Sequence, residues 1–442
     1  MLLNTIVVSE SYIIYNFESD DTIKGEIPKR KSEKLIINDE VILTYKNEEE
    51  EKEVVKGTLK SIKNYTHADG SRMTILIIDT GSYENNIVEI DSNTVTDATV
   101  IHIKDSSKFD ENYIYISNSI SNYDAGQVIV HVDKYFIVGV NAFATLGEAV
   151  KKAPEGALIY IANGTYKEDE EIIIDKSLFI YGEDKFDGAN INAKITVNGT
   201  EKFSINKINL SYKFDEVPID EDKEYAVIAL LGDMVDVNIA NNTINAANGG
   251  RGIIAKDGNI EHLNISSNSI ISGKFKDTNK YLGAIHVFSN ITKSGIILRN
   301  NLVGSAYFNR EVTELFINRN TIVTNDSSAI SFGTKVSGEI SVDGNEIIGS
   351  TNGIKFNGPE TIGETKSTDF SDLIDFSIVY NSIMYSKSFL YIQGADPVKL
   401  EEKKDCFNIK FNKLLNDENS TPFIIDSGVE FTLNKTNFII NY

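Results

Sequence analysis

The residues best suited to chemistry are an acid pair and two arginines in the C-terminal half of the chain. Asp343 and Glu346 stand three residues apart. Arg299 and Arg319 precede them in segments that share one sequence pattern. Two carboxyl groups on rigid elements could act as acid and base on a glycosidic bond, and arginines could bind glycan oxygens. The competing interpretation is a set of solvated surface salt bridges, which is the commoner role of such charges.

Other groups that could bind metal or attack a substrate lack the spacing such sites need. Asp220, Glu221 and Asp222 are consecutive acids without the alternating pattern of a dedicated calcium loop. Cys406 is the single cysteine, so no disulfide within the chain and no cysteine metal cluster can form. The histidines, which show no metal-ligand spacing, are His67, His102, His131, His262 and His286. The sequence therefore predicts no catalytic, cofactor-binding or metal-binding residue, and no cofactor.

A repeated four-position pattern predicts the elements that position these side chains. With Asn242 as origin, apolar residues stand five and three places before it and two places after it, at Val237, Ile239 and Ile244. The alternation predicts a short strand with one buried face, and the asparagine makes the corner into the next strand. Corner asparagines stacked at about 4.8 Å can hydrogen-bond to one another as a ladder. The pattern recurs at Asn268, Asn301, Asn320, Asn345, Asn381 and Asn412, and at Ile208 with isoleucine in the asparagine place.

The same frame predicts which side chains face outward. In the coil of Asn301 it places Ile296, Leu298 and Val303 inside and Ile297 outside. On a second strand of each coil the outward residues are Ile254, His286, Ser331, Lys355, Tyr391 and Ile424. The outward positions contain one carboxylate, Asp343, so they do not supply the paired acids of a glycan-cleaving site.

The residues before the first coil predict how the solenoid begins. Thr145 and Glu148 fit a capping box that opens a short helix with Leu146, Ala149 and Val150 on one face. The N-terminal part of this solenoid resembles the start of the β-helix in the pectate-lyase-like right-handed parallel β-helix superfamily. The resemblance is carried by this helix, by the segments GALIYIANGTY and IIIDKSLFIYGED, and by the asparagine corners that follow. The resemblance implies the fold alone, because that superfamily includes lyases, hydrolases, epimerases, phage tailspikes and non-catalytic surface proteins.

The expected fold class is therefore all-β, with a right-handed parallel β-helix preceded by a small N-terminal β-domain. Residues 1–138 lack the asparagine pattern, and EVILTYKNEEEEKEVVKGTLKSI, followed by RMTILIIDT and NIVEI, predicts a small antiparallel barrel or sandwich. By analogy of layout, this domain attaches the solenoid to something else. The solenoid and its N-terminal capping helix are expected over residues 139–442.

Composition limits the partners. There are 43 basic and 65 acidic residues, which give a formal net charge of −22. Such a surface repels phosphate backbones, so we expect no nucleic-acid partner. No stretch approaches the roughly 20 apolar residues of a membrane span, and the first residues lack the basic region of a secretory signal. We therefore expect no membrane partner, and synthesis in a host cytoplasm without a signal peptide.

Two hypotheses of different classes follow. The first is a non-enzymatic structural or surface protein of a phage-type particle, located in the virion as a capsid decoration or tail component. Its N-terminal β-domain would bind other virion proteins, and residues 41–100 resemble small β-proteins encoded among phage structural genes. The alternative is a tailspike-like protein that binds or degrades polysaccharide, as a lyase or glycoside hydrolase. A bacterial surface adhesin is a third interpretation, and a host glycan or further copies of the chain remain open as partners.

Overall fold

The computed structural model confirms the all-β fold class. The chain divides into two compact units, Met1–Ala157 and Leu158–Tyr442. The structure describes residues 12–15, 30–32, 36–46, 52–66, 72–81, 87–90, 98–103, 106–183, 188–214, 225–247, 249–274, 280–325, 328–357, 360–361, 364–365, 368–416, 419–432 and 435–441.

A mixed β-sheet dominates the first unit. Its strands among the described residues, in spatial order, are Tyr12–Tyr15, Ala98–Ile103, Arg72–Asp79, Lys52–Thr66, Glu40–Lys46, Ile87–Ile90 and Arg30–Ser32. Arg72–Asp79 runs parallel to Ala98–Ile103, and Ile87–Ile90 runs parallel to both of its neighbours. The remaining neighbours are antiparallel. The sequence pattern predicted a small antiparallel barrel or sandwich, whereas this sheet is mixed because Ile87–Ile90 pairs parallel to Glu40–Lys46 and Ala98–Ile103 pairs parallel to Arg72–Asp79.

The rest of the first unit is built from short elements. The strands are Tyr113–Ile116, Val128–His131, Lys134–Ile137 and Ala142–Phe143, and the 3₁₀ turns are Ser106–Lys108 and Asn118–Asn122. The predicted helix spans Leu146–Lys152, and the Oγ1 of its N-cap Thr145 accepts a hydrogen bond from the Glu148 N–H at 3.2 Å. The predicted boundary at residue 138 and the capping role of this helix stay predictions.

The second unit is a right-handed parallel β-helix whose described coils contribute strands to three parallel stacks. Stack A comprises Ala157–Ile161, Leu178–Gly182, Lys202–Asn206, Met234–Ala240, Asn259–Ser266, Asn290–Leu298, Glu311–Asn318, Lys335–Asp343, Leu373–Val379 and Phe407–Lys410. Stack B comprises Gly164–Lys167, Ala189–Asn192, Ile208–Ser211, Thr243–Asn245, Ser269–Ile271, Asn301–Val303, Thr321–Val323, Lys413–Asn416 and Phe438–Asn441. Stack C comprises Ile172–Ile174, Ile195–Asn198, Ala226–Leu231, Arg251–Lys256, Ile285–Val287, Ala306–Phe308, Ser328–Phe332 and Thr421–Ile425.

Two long strands, Glu346–Asn357 and Ser382–Gln393, belong to two stacks each. Their first residues pair within stack B, and their last residues pair within stack C. The short strands Glu360–Thr361 and Glu364–Thr365 pair with each other. Helix Pro397–Lys403 and the 3₁₀ turn Lys404–Cys406 precede the last strand of stack A. Each stack therefore stays paired from coil to coil despite the insertions, with local register shifts in stack A and between the two long strands.

The interior of the solenoid is filled by stacked apolar side chains. The rings of Phe308 and Phe332 stack at 5.9 Å, and those of Phe332 and Phe356 stack at 5.1 Å. Phe376 meets Phe332 and Phe356 edge-on at 5.4 and 5.2 Å. These four rings are fully buried. Removal of any one to alanine should cost about 3–5 kcal/mol, the usual range for a large buried ring.

Asparagine side chains form a continuous ladder at the corner between stack A and stack B. This corner ladder consists of Asn242, Asn268, Asn300, Asn320, Asn345, Asn381, Asn412 and Asn437. In each link the Nδ2 of one asparagine donates to the Oδ1 of the next at 2.9–3.1 Å. The backbone N–H of the first donates to the same Oδ1 at 2.8–3.0 Å. The predicted ladder is thus confirmed, and it extends to Asn437, which the pattern does not indicate.

One coil has a different register from the predicted one. The ladder residue is Asn300, which is 2% exposed, whereas Asn301 is exposed. Ile297 is fully buried and Ile296 is 38% exposed, the reverse of the predicted arrangement. The prediction is wrong here because the run of apolar residues at 296–298 and the paired asparagines fit both registers. Gly295, at the place five residues before the true origin, gives no apolar signal.

Candidate functional site

The residue just before each corner-ladder asparagine from Asn242 to Asn412, and the residue before Ile208 in the preceding coil, adopts the left-handed backbone conformation and points away from the interior. This line, which we name the corner ridge, consists of Lys207, Asn241, Ser267, Arg299, Arg319, Gly344, Tyr380 and Phe411, with φ between 54° and 63°. All except Lys207 are exposed. A left-handed residue other than glycine costs about 1–2 kcal/mol. We attribute the left-handed conformation of these residues to the ladder hydrogen bonds, which hold the residue that follows each of them in place.

Backbone hydrogen bonds stack the corner ridge coil upon coil. The N–H of Arg299 donates to the Asn318 carbonyl at 3.0 Å, and that of Arg319 donates to the Asp343 carbonyl at 2.8 Å. The N–H groups of Gly344 and Tyr380 make the same bond to the next coil, at 3.0 and 3.3 Å. The ridge side chains therefore follow one another at the spacing of the coils.

The four charged residues singled out from the sequence lie on or beside this ridge. Arg299 and Arg319 are exposed ridge residues in consecutive coils. Asp343 is half-buried just before Gly344, its backbone N–H donating to the Asn318 Oδ1 at 3.1 Å, and Glu346 is exposed just after the corner. In the part of the chain that the structure describes, no salt bridge within 4.0 Å joins any two of these four side chains. The structure thus brings them to one edge, but it joins them neither as a salt-bridge network nor as a hydrogen-bonded acid pair.

Gly344 leaves a gap in the ridge, which we name the ridge slot. A Cβ placed on Gly344 would lie 3.5 Å from Arg319 Cγ, and among the described residues other than 343–345 no further heavy atom lies within 4 Å of that position. On the far side the Tyr380 ring stacks on the Phe411 ring, with centroids 5.1 Å apart and planes 8° apart. Tyr380 is 63% exposed and Phe411 is 44% exposed. The slot therefore has an arginine stem on one wall and an exposed aromatic ring on the other.

A second cluster lies on stack C, where the sequence predicted an outward column. Strand pairing aligns Ile254, His286, Ser331, Lys355, Tyr391 and Ile424 in one register column and adds Tyr307 to it. Arg251, at the start of strand Arg251–Lys256, is 1% exposed, and its Nε donates to the Nδ1 of His286 in this column at 3.2 Å. Tyr307 and Phe288 meet the His286 ring edge-on at 5.5 and 5.9 Å. We name these four residues the Arg251 cluster.

Burial sets the electrostatics of the Arg251 cluster. It lowers the pKa of His286 well below its usual value, and the Arg251 charge lowers that pKa further. His286 is therefore held neutral, and a neutral imidazole nitrogen can accept the Arg251 hydrogen bond. A Cβ on Gly283 would lie 1.7 Å from His286 Nε2, so only glycine leaves room for the ring.

The other candidates from the sequence do not assemble into a site. Asp220, Glu221, Asp222, His67 and the side chain of His102 lie outside the described residues. His131 stacks on Tyr115 at 4.8 Å, and His262 Nδ1 lies 2.8 Å from Ser294 Oγ. The Cys406 Sγ lies 3.8 Å from the Leu373 carbonyl oxygen. Across the described ranges, no group of three histidine, cysteine, aspartate or glutamate side chains is arranged to hold a metal ion.

The sequence frame missed the residues that make the ridge slot. Tyr380, Phe411 and Gly344 each stand one place before a corner asparagine, a position to which the predicted pattern assigns no role. Extending the frame by that one column would have shown two aromatic residues, a glycine and Arg319 in consecutive coils. Arg251 gave no such signal, because it follows two glycines outside the alternating pattern.

Comparison with known proteins adds little to this architecture. No protein-family model matches the sequence. No curated protein matches it either. A crystal structure of a DFA-IIIase point mutant from Arthrobacter chlorophenolicus covers 75% of this chain and 99% of its own, with 13% identity and a TM-score of 0.28. Such a likeness is too distant to carry an argument about this chain. In the described part, no helix has the length and apolar character needed to cross a bilayer.

Proposed function

We propose that this chain is a non-catalytic structural protein that displays a rigid β-helix on a larger particle, with a phage-type virion as that particle. The observation that carries the proposal is the unbroken corner ladder from Asn242 to Asn437. Each link combines two hydrogen bonds to one amide oxygen, and buried amide networks of this kind fix a single arrangement. A solenoid stiffened in this way suits a role that depends on shape.

The first unit supplies the proposed attachment module. It has its own sheet and its own apolar core, in which Ile75, Ile77 and Ile103 pack with Val128 and Ile137. A small β-unit with a separate core can bind a particle without distorting the solenoid that follows it. This role depends on the layout of the chain, and the partner would be another virion protein.

Immunogold labelling tests the location. Antibodies raised against the full chain would be applied to particles purified from induced cultures of the source strain. Gold at a capsid or tail position supports the proposal. Label confined to the cell envelope or to the soluble fraction, with none on particles, contradicts it.

A cleavage assay tests the non-catalytic part. The full chain would be incubated with envelope polysaccharides of the source strain, with and without calcium, while reducing ends and unsaturated products are followed. We expect no product. Product that disappears in the Asp343→Ala, Glu346→Ala double variant would establish the polysaccharide-degrading alternative and place its site beside the corner ridge.

A further inference from the structure

We infer that the ridge slot binds one ring of a neutral saccharide. The inference goes beyond the proposed display function, because a display solenoid needs no ligand at this edge. It rests on the juxtaposition of Gly344, the Arg319 stem and the exposed face of Tyr380.

The size of the slot matches one ring. Arg319 and Tyr380 stand two coils apart with Gly344 between them, which separates their backbones by about 9–10 Å at the usual strand spacing. A ring that contacts both walls needs about 3.5–4 Å on each side. The Tyr380 and Phe411 rings already show this repeat, since their centroids are 5.1 Å apart and nearly parallel. A ring inserted over Gly344 would continue the stack by one coil.

The groups around the slot favour a saccharide over an aromatic side chain of a partner protein. The negative face of the Tyr380 ring attracts the C–H edge of a pyranose. Arg319 offers donors for hydroxyl and ring oxygens, and the carboxylates of Asp343 and Glu346 offer acceptors for hydroxyl protons. A phenylalanine side chain in the same slot would leave these polar groups without partners.

Charge favours a neutral sugar over a uronate. The chain carries a formal net charge of −22, and Asp343 and Glu346 stand one and two residues from Gly344 in the same coil. A uronate carboxylate would gain one guanidinium at Arg319 and meet Asp343 and Glu346 as like charges. Hydroxyl groups can use both the arginine donors and the carboxylate acceptors.

The test measures binding to the full-length chain by saturation-transfer difference NMR and isothermal titration calorimetry. The probes are neutral oligosaccharides of glucose, galactose and N-acetylglucosamine, with oligogalacturonate as the anionic comparison. The blocking variant is Gly344→Tyr, because Tyr380 and Phe411 already adopt the same backbone conformation at this position, with φ of 56° and 59°. The matched control is Ser267→Tyr, which adds the same ring to the ridge at φ 56° in a distant coil.

We expect at least one neutral oligosaccharide to bind, with transfer strongest at the C–H protons of one pyranose face. Gly344→Tyr should abolish binding, and Ser267→Tyr should leave it unchanged. Tyr380→Ala should weaken binding about tenfold through loss of the stacking face, and Arg319→Met, which keeps the stem, by about threefold to tenfold. A cooperative unfolding transition well above the assay temperature in both tyrosine variants shows that a loss of binding comes from the filled slot and not from unfolding.

Three results would overturn the inference. One is unchanged affinity in Gly344→Tyr, which would move the site elsewhere. Another is preference for oligogalacturonate, which would contradict the charge argument. The third is no binding of any saccharide, and if a protein partner is then captured by wild type but not by Gly344→Tyr, the slot is a protein contact. None of these outcomes bears on particle labelling, so the display proposal is judged separately.

Discussion

The corner ladder and the corner ridge occupy adjacent positions in the same coils, yet they differ in almost every property. From Asn242 to Asn437 the ladder uses one residue type, and seven of its eight members are at most 2% exposed. The ridge, one place earlier, holds lysine, asparagine, serine, arginine, glycine, tyrosine and phenylalanine, nearly all exposed. The backbone conformation is the same throughout the ridge. The difference teaches that one column determines the corner geometry and leaves the next column free for surface chemistry.

The reason lies in the hydrogen-bond capacity of the asparagine side chain. Its oxygen accepts two bonds from the preceding rung, and its nitrogen donates to the next rung and to a carbonyl of the coil before. No other uncharged side chain of that length offers two acceptor sites and two donors. The corner does not require such bonds of a ridge side chain, because the backbone N–H groups of ridge residues such as Arg299 and Arg319 bond to the next coil whatever the side chain.

Within this comparison the largest expected effect comes from alanine substitution at Asn300, a corner-ladder residue, set against the same substitution at the exposed Asn301 next to it. Asn300→Ala leaves two donors of Asn268 and the Ile265 carbonyl without their partner in a buried corner. The free energy of unfolding should fall by at least about 3 kcal/mol, since three buried groups lose their partner and each costs about 1–3 kcal/mol. Asn301→Ala, at the exposed place next to it, should change that free energy by less than about 0.5 kcal/mol. Urea unfolding of both variants measures the difference.

This pair also tests the register of the coil. If Asn301→Ala were the damaging change and Asn300→Ala the mild one, the side chains of this coil would face the opposite way. The register predicted from the alternation alone would then hold.

The Arg251 cluster is an intermediate case, a polar site that is covered but belongs to no ladder. Because the pKa of His286 is lowered in the folded chain, the unfolded chain binds more protons between that lowered value and about 6.5. Stability should therefore fall as pH drops below about 6.5, by at most about 1.4 kcal/mol per pH unit from this group. His286→Gln, whose amide oxygen can still accept from Arg251, should remove this component. Urea unfolding from pH 7 to pH 5 measures it.

His262→Gln is the matched control for that measurement. His262 lies on stack A with its ring nitrogen near Ser294 Oγ, away from the Arg251 cluster. An equal change of pH slope in both variants would show that the effect does not come from the burial of His286.

The fold could be predicted from the sequence more completely than the site, because the corner ladder follows a recurrent sequence pattern and the corner ridge does not. Three apolar places fix a ladder asparagine wherever they are filled, as around Asn242 and Asn320. The apolar pattern does not identify Asn300, because a glycine replaces one apolar residue there. It does not identify Asn437 either, because polar residues stand three and five places before it. Strand pairing across coils, which the sequence does not show, resolves both.

The ridge leaves almost no trace. Nothing in a tyrosine or phenylalanine indicates a left-handed backbone, since such residues rarely adopt it. Tyr380 and Phe411 become neighbours only through an intercoil distance of 31 residues, and Arg251 meets His286 across 35. Their functional interpretation therefore depends on the coil register rather than on any local motif.

A smaller effect is expected from the one ridge position that is glycine. Gly344→Val should lower the free energy of unfolding by about 1–2 kcal/mol, because a β-branched residue is strained at φ +63°. Gly344→Asn should cost less than half of that, since asparagine tolerates this conformation and Asn241 already adopts it at φ +55°. Thermal unfolding of the two variants measures the difference. Equal losses would show that filling the slot, rather than backbone strain, is what the corner resists.

The smallest effect on the free energy of unfolding is expected at the two exposed aromatic residues of the ridge. Tyr380→Ala and Phe411→Ala each remove an exposed ring, so each should change the free energy of unfolding by less than about 1 kcal/mol. Their stacking predicts a coupling of about 0.5 kcal/mol, which a double-mutant cycle with both single variants and the pair would measure. A cost near that of Asn300→Ala would mean that the rings hold the corner together. A small cost would show that folding does not need these two exposed rings, which leaves them available for the saccharide contact inferred for the ridge slot.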